Sequence, residues 1–219
     1  MQDLFMKKLI KANRYFFIPY TVFLMICIIL LASFTKPQLH ILSNQANAPF
    51  FDIFFKYATS LGNGAVIAIL FIILLFVRYR YAFAFLTGSL ATALVVNLFK
   101  KVVFHNMYRP SKYFELYETY KLHLVEGVKM HSLQSFPSGH TATAFNLFIM
   151  LAFIVKSNTL KLLFIIMAAL VAYSRVYLSQ HFLMDITAGS VVGITIMAFI
   201  FVWFETFNKS WLDKSFLKQ

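Results

Sequence analysis

Long apolar stretches separated by shorter polar segments run through almost the whole chain. A helix that crosses a lipid bilayer needs about 20 mostly apolar residues. The pattern therefore predicts six membrane-spanning helices, some of which extend about one turn beyond their apolar cores. The predicted spans are Phe16–Phe34, Asn63–Val77, Ala82–Phe99, Thr141–Val155, Leu160–Tyr177 and Ile186–Phe204.

Two of the connections between these spans are long, namely Thr35–Gly62 and Lys100–Ser138. The first contains a phenylalanine-rich segment, Phe50–Phe55, which predicts an amphipathic helix lying at the membrane interface. We expect an all-α fold, a polytopic bundle of six transmembrane helices that forms a single domain over residues 1–219.

Composition supports a membrane environment. Hydrophobic residues make up 60% of the 219 residues, charged residues only 13%, and the mean hydropathy is +0.73. Ordinary soluble domains contain about 25% charged residues, and a soluble protein this apolar would expose patches that aggregate. The lipid bilayer is therefore an expected partner. Cys27 is the only cysteine, which excludes an intramolecular disulfide and a cysteine-based zinc site.

The net charge of +12 does not indicate nucleic-acid binding here. Lys and Arg residues lie mainly between and beside the apolar stretches, which is typical of topology signals and of contacts with anionic lipids. We therefore expect no nucleic-acid partner. The basic segment Met1–Arg14 leads into a long apolar run without a small-residue cleavage site, which we interpret as a retained first span.

Six alternating spans place both termini on one side of the membrane, together with the turns at Arg78 and Lys156. The basic residues on that side lie in short segments close to the spans, and such charges set orientation. Trp203 and Trp211 fit an aromatic belt there. We expect that side to be cytoplasmic and the two long connections to be extracytoplasmic.

Three groups of polar residues occur at the ends of the predicted spans, and alternation places all three on the side of the long connections. Ionisable groups at a membrane edge are costly and are functional candidates. The groups are Lys101 with Arg109-Pro110, then Pro137-Ser138-Gly139-His140, and Ser174-Arg175 with His181 and Asp185.

Each group also has a simple structural interpretation. Lys101 and Arg109 suit cations that snorkel from a helix end, and Ser138 suits a helix cap beside a turn. His181 and Asp185 are four residues apart on one helical face, which suits a hydrogen-bonded pair or half of a metal site. No single group decides the function.

Together the groups provide the positioning and charge stabilisation that phosphoryl transfer needs. Lys101, Arg109 and Arg175 supply positive charge, and the two guanidiniums suit bidentate binding of phosphoryl oxygens. The backbone N–H groups of Ser138–His140 lie at a predicted helix start, which forms an anion site. Gly139 allows the backbone to approach the anion closely.

The histidines supply the covalent and proton-transfer chemistry. A neutral His181 can attack phosphorus, while Asp185 holds the other ring nitrogen so that the correct tautomer faces the substrate. His140 remains as the general acid for the leaving group.

The three groups resemble the signature motifs of the type-2 phosphatidic acid phosphatase superfamily, which includes membrane lipid phosphatases, glucose-6-phosphatases and vanadium haloperoxidases. Pro137–His140 is similar to the second motif in full. Ser174-Arg175, His181 and Asp185 are similar to the third motif in both identity and spacing.

The first motif departs from the family pattern of Lys-x6-Arg-Pro. Seven residues separate Lys101 from Arg109 in this sequence, and Lys100 is one residue further away. Steps of seven and eight residues both stay near one face of a helix. We expect Lys101 to serve the motif, with Lys100 as the second choice.

The resemblance implies a phosphatase in which His181 becomes phosphorylated, Asp185 orients it, and His140 protonates the leaving group. It implies that neither a metal nor another cofactor is required. The residues to which it assigns phosphate binding are Lys101, Arg109, Ser138, Gly139 and Arg175.

The expected substrate is a membrane lipid with a terminal phosphate, such as undecaprenyl diphosphate, phosphatidate, phosphatidylglycerol phosphate or a lipid A phosphate. The compact size and phenylalanine-rich spans favour a bacterial inner membrane, with the active site at its extracytoplasmic face. Two alternatives are a vanadate-dependent haloperoxidase and a non-catalytic transport or structural protein with a relict site. The sequence carries no signal for the oligomeric state.

Overall fold

The computed structural model describes residues 2–217. Within this range the chain forms ten α-helices, two short 3-10 segments and one π turn. The helices are α1 (Gln2–Ala12), α2 (Arg14–Ser33), α3 (Lys36–Gln45), α4 (Pro49–Ala58), α5 (Gly64–Val77), α6 (Tyr79–Leu98), α7 (Pro110–Tyr117), α8 (Gly139–Ile154), α9 (Asn158–Tyr177) and α10 (Leu183–Glu205).

All six predicted apolar stretches are helical, and most of the helices begin two or three residues before the predicted start. Four of them, α2, α6, α9 and α10, are long and apolar enough to cross a membrane. Helix α5 provides a fifth span when it is joined to the preceding helix across a 54° bend. Helix α8 has only 16 residues. The all-α membrane architecture is confirmed, and the described residues contain four or five full-length spans by length and composition.

The first long connection folds into α3, α4 and the 3-10 segment Thr59–Gly62. Pro49 lies in the first turn of α4, where its missing N–H has no intrahelical partner to lose. Phe50 and Ile53 are exposed on this helix, whereas Phe55 is buried against the ring of Tyr177. The helix predicted over Phe50–Phe55 is therefore present, with one apolar face pointing outward.

Helix α8 is the central helix of the bundle and packs against α6, α9 and α10. It is apolar on every side, which is typical of a helix that is buried all round. Its one buried amide, Asn146, accepts a hydrogen bond from Ser89 and donates one to Thr92, at 3.1 and 2.9 Å. These interhelical bonds satisfy the polar groups of both helices in an apolar interior.

Two glycines of α10 permit its close approach to α8. A Cβ atom on Gly189 would lie 2.6 Å from the carbonyl oxygen of Ser138, and one on Gly193 would collide with the carbonyl of Ala142. Small residues at this spacing let two helix backbones pack closely. The first turns of α8 and α10 are consequently held side by side.

The opposite end of the bundle contains a second set of polar contacts. Buried Arg80 donates to the carbonyl oxygens of Phe204 and Phe207 and to the carboxylate of Asp213. Lys161 donates to the carbonyl oxygen of Ala12. Helix ends from the N-terminal and C-terminal parts of the chain therefore meet there, while the predicted functional residues lie at the other end.

Candidate functional site

The C-terminal end of α9 and the tight connection to α10 form one wall of the site. The backbone N–H groups of Gln180 and His181 both donate to the carbonyl oxygen of Arg175, at 2.9 and 3.0 Å. These bonds satisfy a carbonyl that the end of a helix leaves without an intrahelical partner. Ser179 has a φ of +52° in this turn. The turn places the His181 side chain inside the protein, where it is 2% exposed.

The carboxylate of Asp185 is fixed beside this histidine. Its Oδ2 accepts hydrogen bonds from the Ser135 hydroxyl at 2.5 Å and from the Phe182 N–H at 2.9 Å. The same oxygen lies 3.4 Å from Nδ1 of His181. Neither that Nδ1 nor Oδ1 of Asp185 has a well-aligned hydrogen bond within the described residues. Asp185 therefore faces the Nδ1 side of the ring and leaves Nε2 for chemistry.

His181 is neutral at ordinary pH. Burial lowers the pKa of its imidazole well below the usual value, and the positive charges of Arg109, Arg175 and Lys100 lower it further. Protonation of the ring would add a buried charge next to three cations. A neutral imidazole retains a lone pair, which a nucleophile needs.

Arg175 is buried and is held from two sides. Its Nη1 donates to Oγ1 of Thr59 at 2.7 Å, and its Nη2 lies 3.5 Å from Oε1 of Gln180. Its Nε is buried and has no partner within residues 2–217. One N–H of this guanidinium is thus available to a ligand.

Arg109 reaches the same side-chain amide from the second long connection. Its Nη1 lies 3.3 Å from both the backbone oxygen and Oε1 of Gln180, and its Nε donates to the Leu133 carbonyl at 3.1 Å. The amide nitrogen of Gln180 donates in turn to the Lys129 carbonyl at 3.1 Å. Gln180 therefore joins both arginines to the loop beside the site.

The structure places Lys100, and not Lys101, at the site. A π turn over Phe99–Val103 ends α6 and changes the direction of its last side chains. Lys100 donates to the Gln134 carbonyl at 3.1 Å and lines a pocket with His140. Lys101 is exposed. The preference for Lys101 followed from its closer match to the family spacing. The π turn instead directs Lys100, the second choice, towards the site.

The start of α8 supplies the second histidine and part of an anion site. Ser138 is its N-cap and is fully buried, with its Oγ accepting from Thr141. The Ser138 N–H donates to the Asp185 carbonyl at 2.9 Å, so it is not available to a phosphate as the sequence suggested. The N–H groups of Gly139 and His140 lie in the first helical turn, where no intrahelical acceptor exists.

The electrostatic balance of the site is strongly positive. Lys100, Arg109 and Arg175 form no ion pair with an Asp or Glu in the part of the chain that the structure describes. Desolvated cations need compensation by an opposite charge. The site is therefore complementary to an anion with several oxygen atoms.

The remaining histidines differ in their surroundings. His40 is buried, and its Nε2 lies 3.0 Å from Oγ of Ser179. Burial lowers the pKa of His40 to about 4, so this ring is a neutral support for the turn before His181. His123 contacts the Asp52 carboxylate at 3.0 Å, whereas His105 and His131 are exposed.

Four supporting residues were missed by the sequence interpretation: Thr59, Ser135, Gln180 and the buried His40. Gln180 directly precedes the candidate nucleophile, but a single polar residue in a turn gives no distinguishing pattern. Within residues 2–217, no group of three or more His, Cys, Asp or Glu side chains has an arrangement suited to a metal ion.

Comparison with known proteins links this geometry to a family. The family model described as the PAP2 superfamily matches residues 81–209, which include all three motif groups. Lipid A 4'-phosphatase of Porphyromonas gingivalis is 26% identical over 179 residues, covering 78% of this chain and 74% of the relative.

Two solved structures share the fold. Aquifex aeolicus LpxE matches with a TM-score of 0.67 and 26% identity, covering 78% of this chain and 98% of that protein. The transmembrane PAP2-type phosphatidylglycerolphosphate phosphatase of Bacillus subtilis matches with a TM-score of 0.63 and 21% identity. The match covers 89% of this chain and 98% of that protein. The latter likeness establishes the common fold alone.

The first prediction separates the two lysines. Lys100→Met is expected to weaken binding of inorganic phosphate roughly 10- to 150-fold, because a charge-assisted hydrogen bond contributes roughly 1.5–3 kcal/mol. Lys101→Met is the matched control and is expected to bind inorganic phosphate as tightly as the unaltered protein does. Phosphate-dependent shifts of the thermal unfolding temperature in detergent measure both affinities. A larger loss of phosphate affinity in Lys101→Met than in Lys100→Met would contradict the placement of Lys100 at the site.

The second prediction concerns Gln180. Gln180→Leu removes the acceptor shared by Arg109 and Arg175, and the apparent phosphate affinity is expected to fall about 10-fold. Gln180→Glu places a competing anion between the guanidiniums, so it should weaken phosphate binding more while preserving or raising the unfolding temperature. The same thermal titration distinguishes the two effects. A Leu variant that is less stable but binds phosphate normally would assign Gln180 a purely structural role.

Proposed function

Because the chain belongs to the PAP2 superfamily, we propose that it is a membrane lipid phosphatase that removes a terminal phosphate through a phosphohistidine at His181. The observation that carries this proposal is the convergence of Lys100, Arg109 and Arg175 around a buried, neutral histidine, without an acidic partner for these cations in residues 2–217. A phosphoryl group provides the missing negative charge and brings phosphorus next to the nucleophile.

In the first step, Nε2 of His181 attacks phosphorus and forms an N–P bond while the P–O bond to the leaving group breaks. His140 donates a proton to the departing oxygen. Asp185 faces Nδ1 of the attacking ring at 3.4 Å and stabilises the positive charge that develops there. The three cations stabilise the equatorial oxygens of the transferred group.

In the second step, water attacks the phosphorus of phosphohistidine. His140, now neutral, accepts a proton from that water, and the N–P bond breaks to restore His181. The products are inorganic phosphate and a dephosphorylated lipid alcohol or lipid phosphate. One histidine acts as the nucleophile, and the other alternates between acid and base.

The substrate proposal extends to phospholipids and isoprenoid diphosphates of a bacterial envelope. The name of the P. gingivalis relative supports including lipid A phosphate, and phosphatidylglycerol phosphate carries the same kind of terminal phosphate. Undecaprenyl diphosphate and phosphatidate also carry a terminal phosphate. These four lipids form the panel of substrates to be tested. The positive site at one end of the apolar helices suits a phosphate whose lipid tail remains in the bilayer.

We propose that α5 and α8 complete a six-helix single domain in a bacterial inner membrane. The functional residues lie at the end of the bundle opposite Arg80 and Lys161. Basic residues in the short segments near those two side chains support a cytoplasmic location for that end. The active site then faces the extracytoplasmic side.

The third prediction tests the proposed activity without added metal. The purified protein in detergent is expected to release phosphate from at least one lipid of the four-member panel in the presence of EDTA. His181→Ala should lower that rate by about 1,000-fold or more, because it removes the nucleophile. His105→Ala, which changes an exposed loop histidine, is the matched control and should retain the full rate.

The test measures phosphate release from each lipid by the unaltered protein, His181→Ala and His105→Ala under the same conditions. Activity that persists unchanged in His181→Ala would contradict the proposed nucleophile. Activity that EDTA abolishes would contradict the metal-independent mechanism while leaving phosphatase activity in place.

A further inference from the structure

A pocket of about 270 Å³ opens beside the catalytic residues between α5, α6 and α8. Lys100 and His140 line it, together with Asn63, Asn97 and Gly62. His181 is buried and does not line this pocket in the described chain. The pocket therefore approaches the site from the side of His140.

The geometry of phosphoryl transfer indicates which part of the substrate this pocket would hold. The attacking atom and the leaving oxygen lie roughly in line on opposite sides of phosphorus. With His181 as the nucleophile and His140 as the proton donor, the leaving oxygen must lie next to His140. The part of the substrate attached to that oxygen then occupies the space that His140 lines.

Two side-chain amides are the distinctive groups of this pocket. Asn97, near the end of α6, donates to the Ala93 carbonyl at 2.8 Å, which leaves its own carbonyl oxygen as an acceptor. Asn63 makes no side-chain cap to α5, so its amide is also available. Both side chains are exposed. Asn97 is a polar residue in an otherwise apolar membrane helix, and such residues are costly and mark functional positions.

The backbone around Asn63 is fitted closely to His140. A Cβ atom on Gly62 would lie 2.8 Å from the carbonyl oxygen of His140, so only glycine permits this approach. Among the residues that the structure describes, a Cβ atom on Gly64 would have no neighbour within 4 Å. Asn63 thus lies between a residue in tight contact with the backbone of His140 and a residue that faces open space.

We propose that Asn63 and Asn97 bind the first, hydroxyl-bearing unit of the leaving group and select sugar-linked or glycerol-linked phosphates over simple alkyl phosphates. This inference rests on the proposed function and names the substrate class of the same site. Hydroxyl groups are suitable partners for both amides, because each amide can donate and accept hydrogen bonds. A site built to bind a substrate hydroxyl discriminates against an analogue that lacks it.

The fourth prediction uses three lipid probes with twelve-carbon chains: an N-acylglucosamine phosphate, phosphatidylglycerol phosphate and dodecyl phosphate. Asn97→Leu and Asn63→Leu are each expected to lower kcat/KM for at least one hydroxyl-bearing probe about 3- to 10-fold, the effect of a lost hydrogen bond. The value for dodecyl phosphate should stay unchanged. The probe that is affected identifies the sugar or the glycerol as the recognised unit.

Asn208→Leu provides the matched control, because Asn208 is exposed in the segment that follows α10 and lines no part of this pocket. The ratio of kcat/KM between probes is measured on one preparation, so any loss of folded protein cancels. An unchanged ratio, or an equal loss on all three probes, would overturn the selection proposed for Asn63 and Asn97. No phosphate release from any lipid by the unaltered protein would instead overturn the proposed function on which this selection depends.

Discussion

The buried carboxylate of Asp185 is the constraint on which the arrangement of the site depends. A carboxylate in an apolar interior is costly unless hydrogen bonds and nearby positive charge compensate it. Oδ2 receives the Ser135 hydroxyl and the Phe182 N–H, and the backbone carbonyl of the same residue receives the Ser138 N–H. One residue therefore joins the second long connection, the start of α8 and the start of α10. His181 acquires its orientation from that junction.

Unlike the carboxylate of Asp185, the positive charges of the site are poorly compensated and lower the stability of the fold. Arg175 and Arg109 share the single acceptor of Gln180, and no acidic side chain within residues 2–217 pairs with either guanidinium. Such an arrangement is unfavourable for folding and becomes favourable when an anion binds. Burial lowers the pKa of the histidine between α9 and α10, and the same cations lower it further. The cations that attract an anion thus also favour the neutral imidazole.

Much of this architecture could be predicted from the sequence, since hydropathy located the six helices and the motif spacing identified Arg109, His140, Arg175, His181 and Asp185. The structure brings these residues to one end of the bundle. The choice between Lys100 and Lys101 depended on a π turn, which has no signature in a hydrophobic pattern.

Other features of the site depend on contacts between distant segments. Thr59 binds Arg175 across 116 positions of the chain, and the N–H of Ser138 is occupied by the carbonyl of Asp185. Residue type and local spacing report neither contact. The first contact arises where the 3-10 segment Thr59–Gly62 packs against α9. The second arises because α8 and α10 pack closely at Gly189 and Gly193. Sequence motifs therefore predicted which residues lie together at the candidate site, whereas tertiary packing determines which groups support them.

The most direct test of this account is to trap the covalent intermediate. The protein is mixed with a lipid substrate carrying a ³²P-labelled terminal phosphate, quenched in base on the millisecond scale, and digested for peptide mapping. We expect a base-stable, acid-labile label on the peptide containing His181, formed and lost at rates compatible with turnover. Label on another residue, or full phosphate release with no protein-bound label at any time, would contradict it.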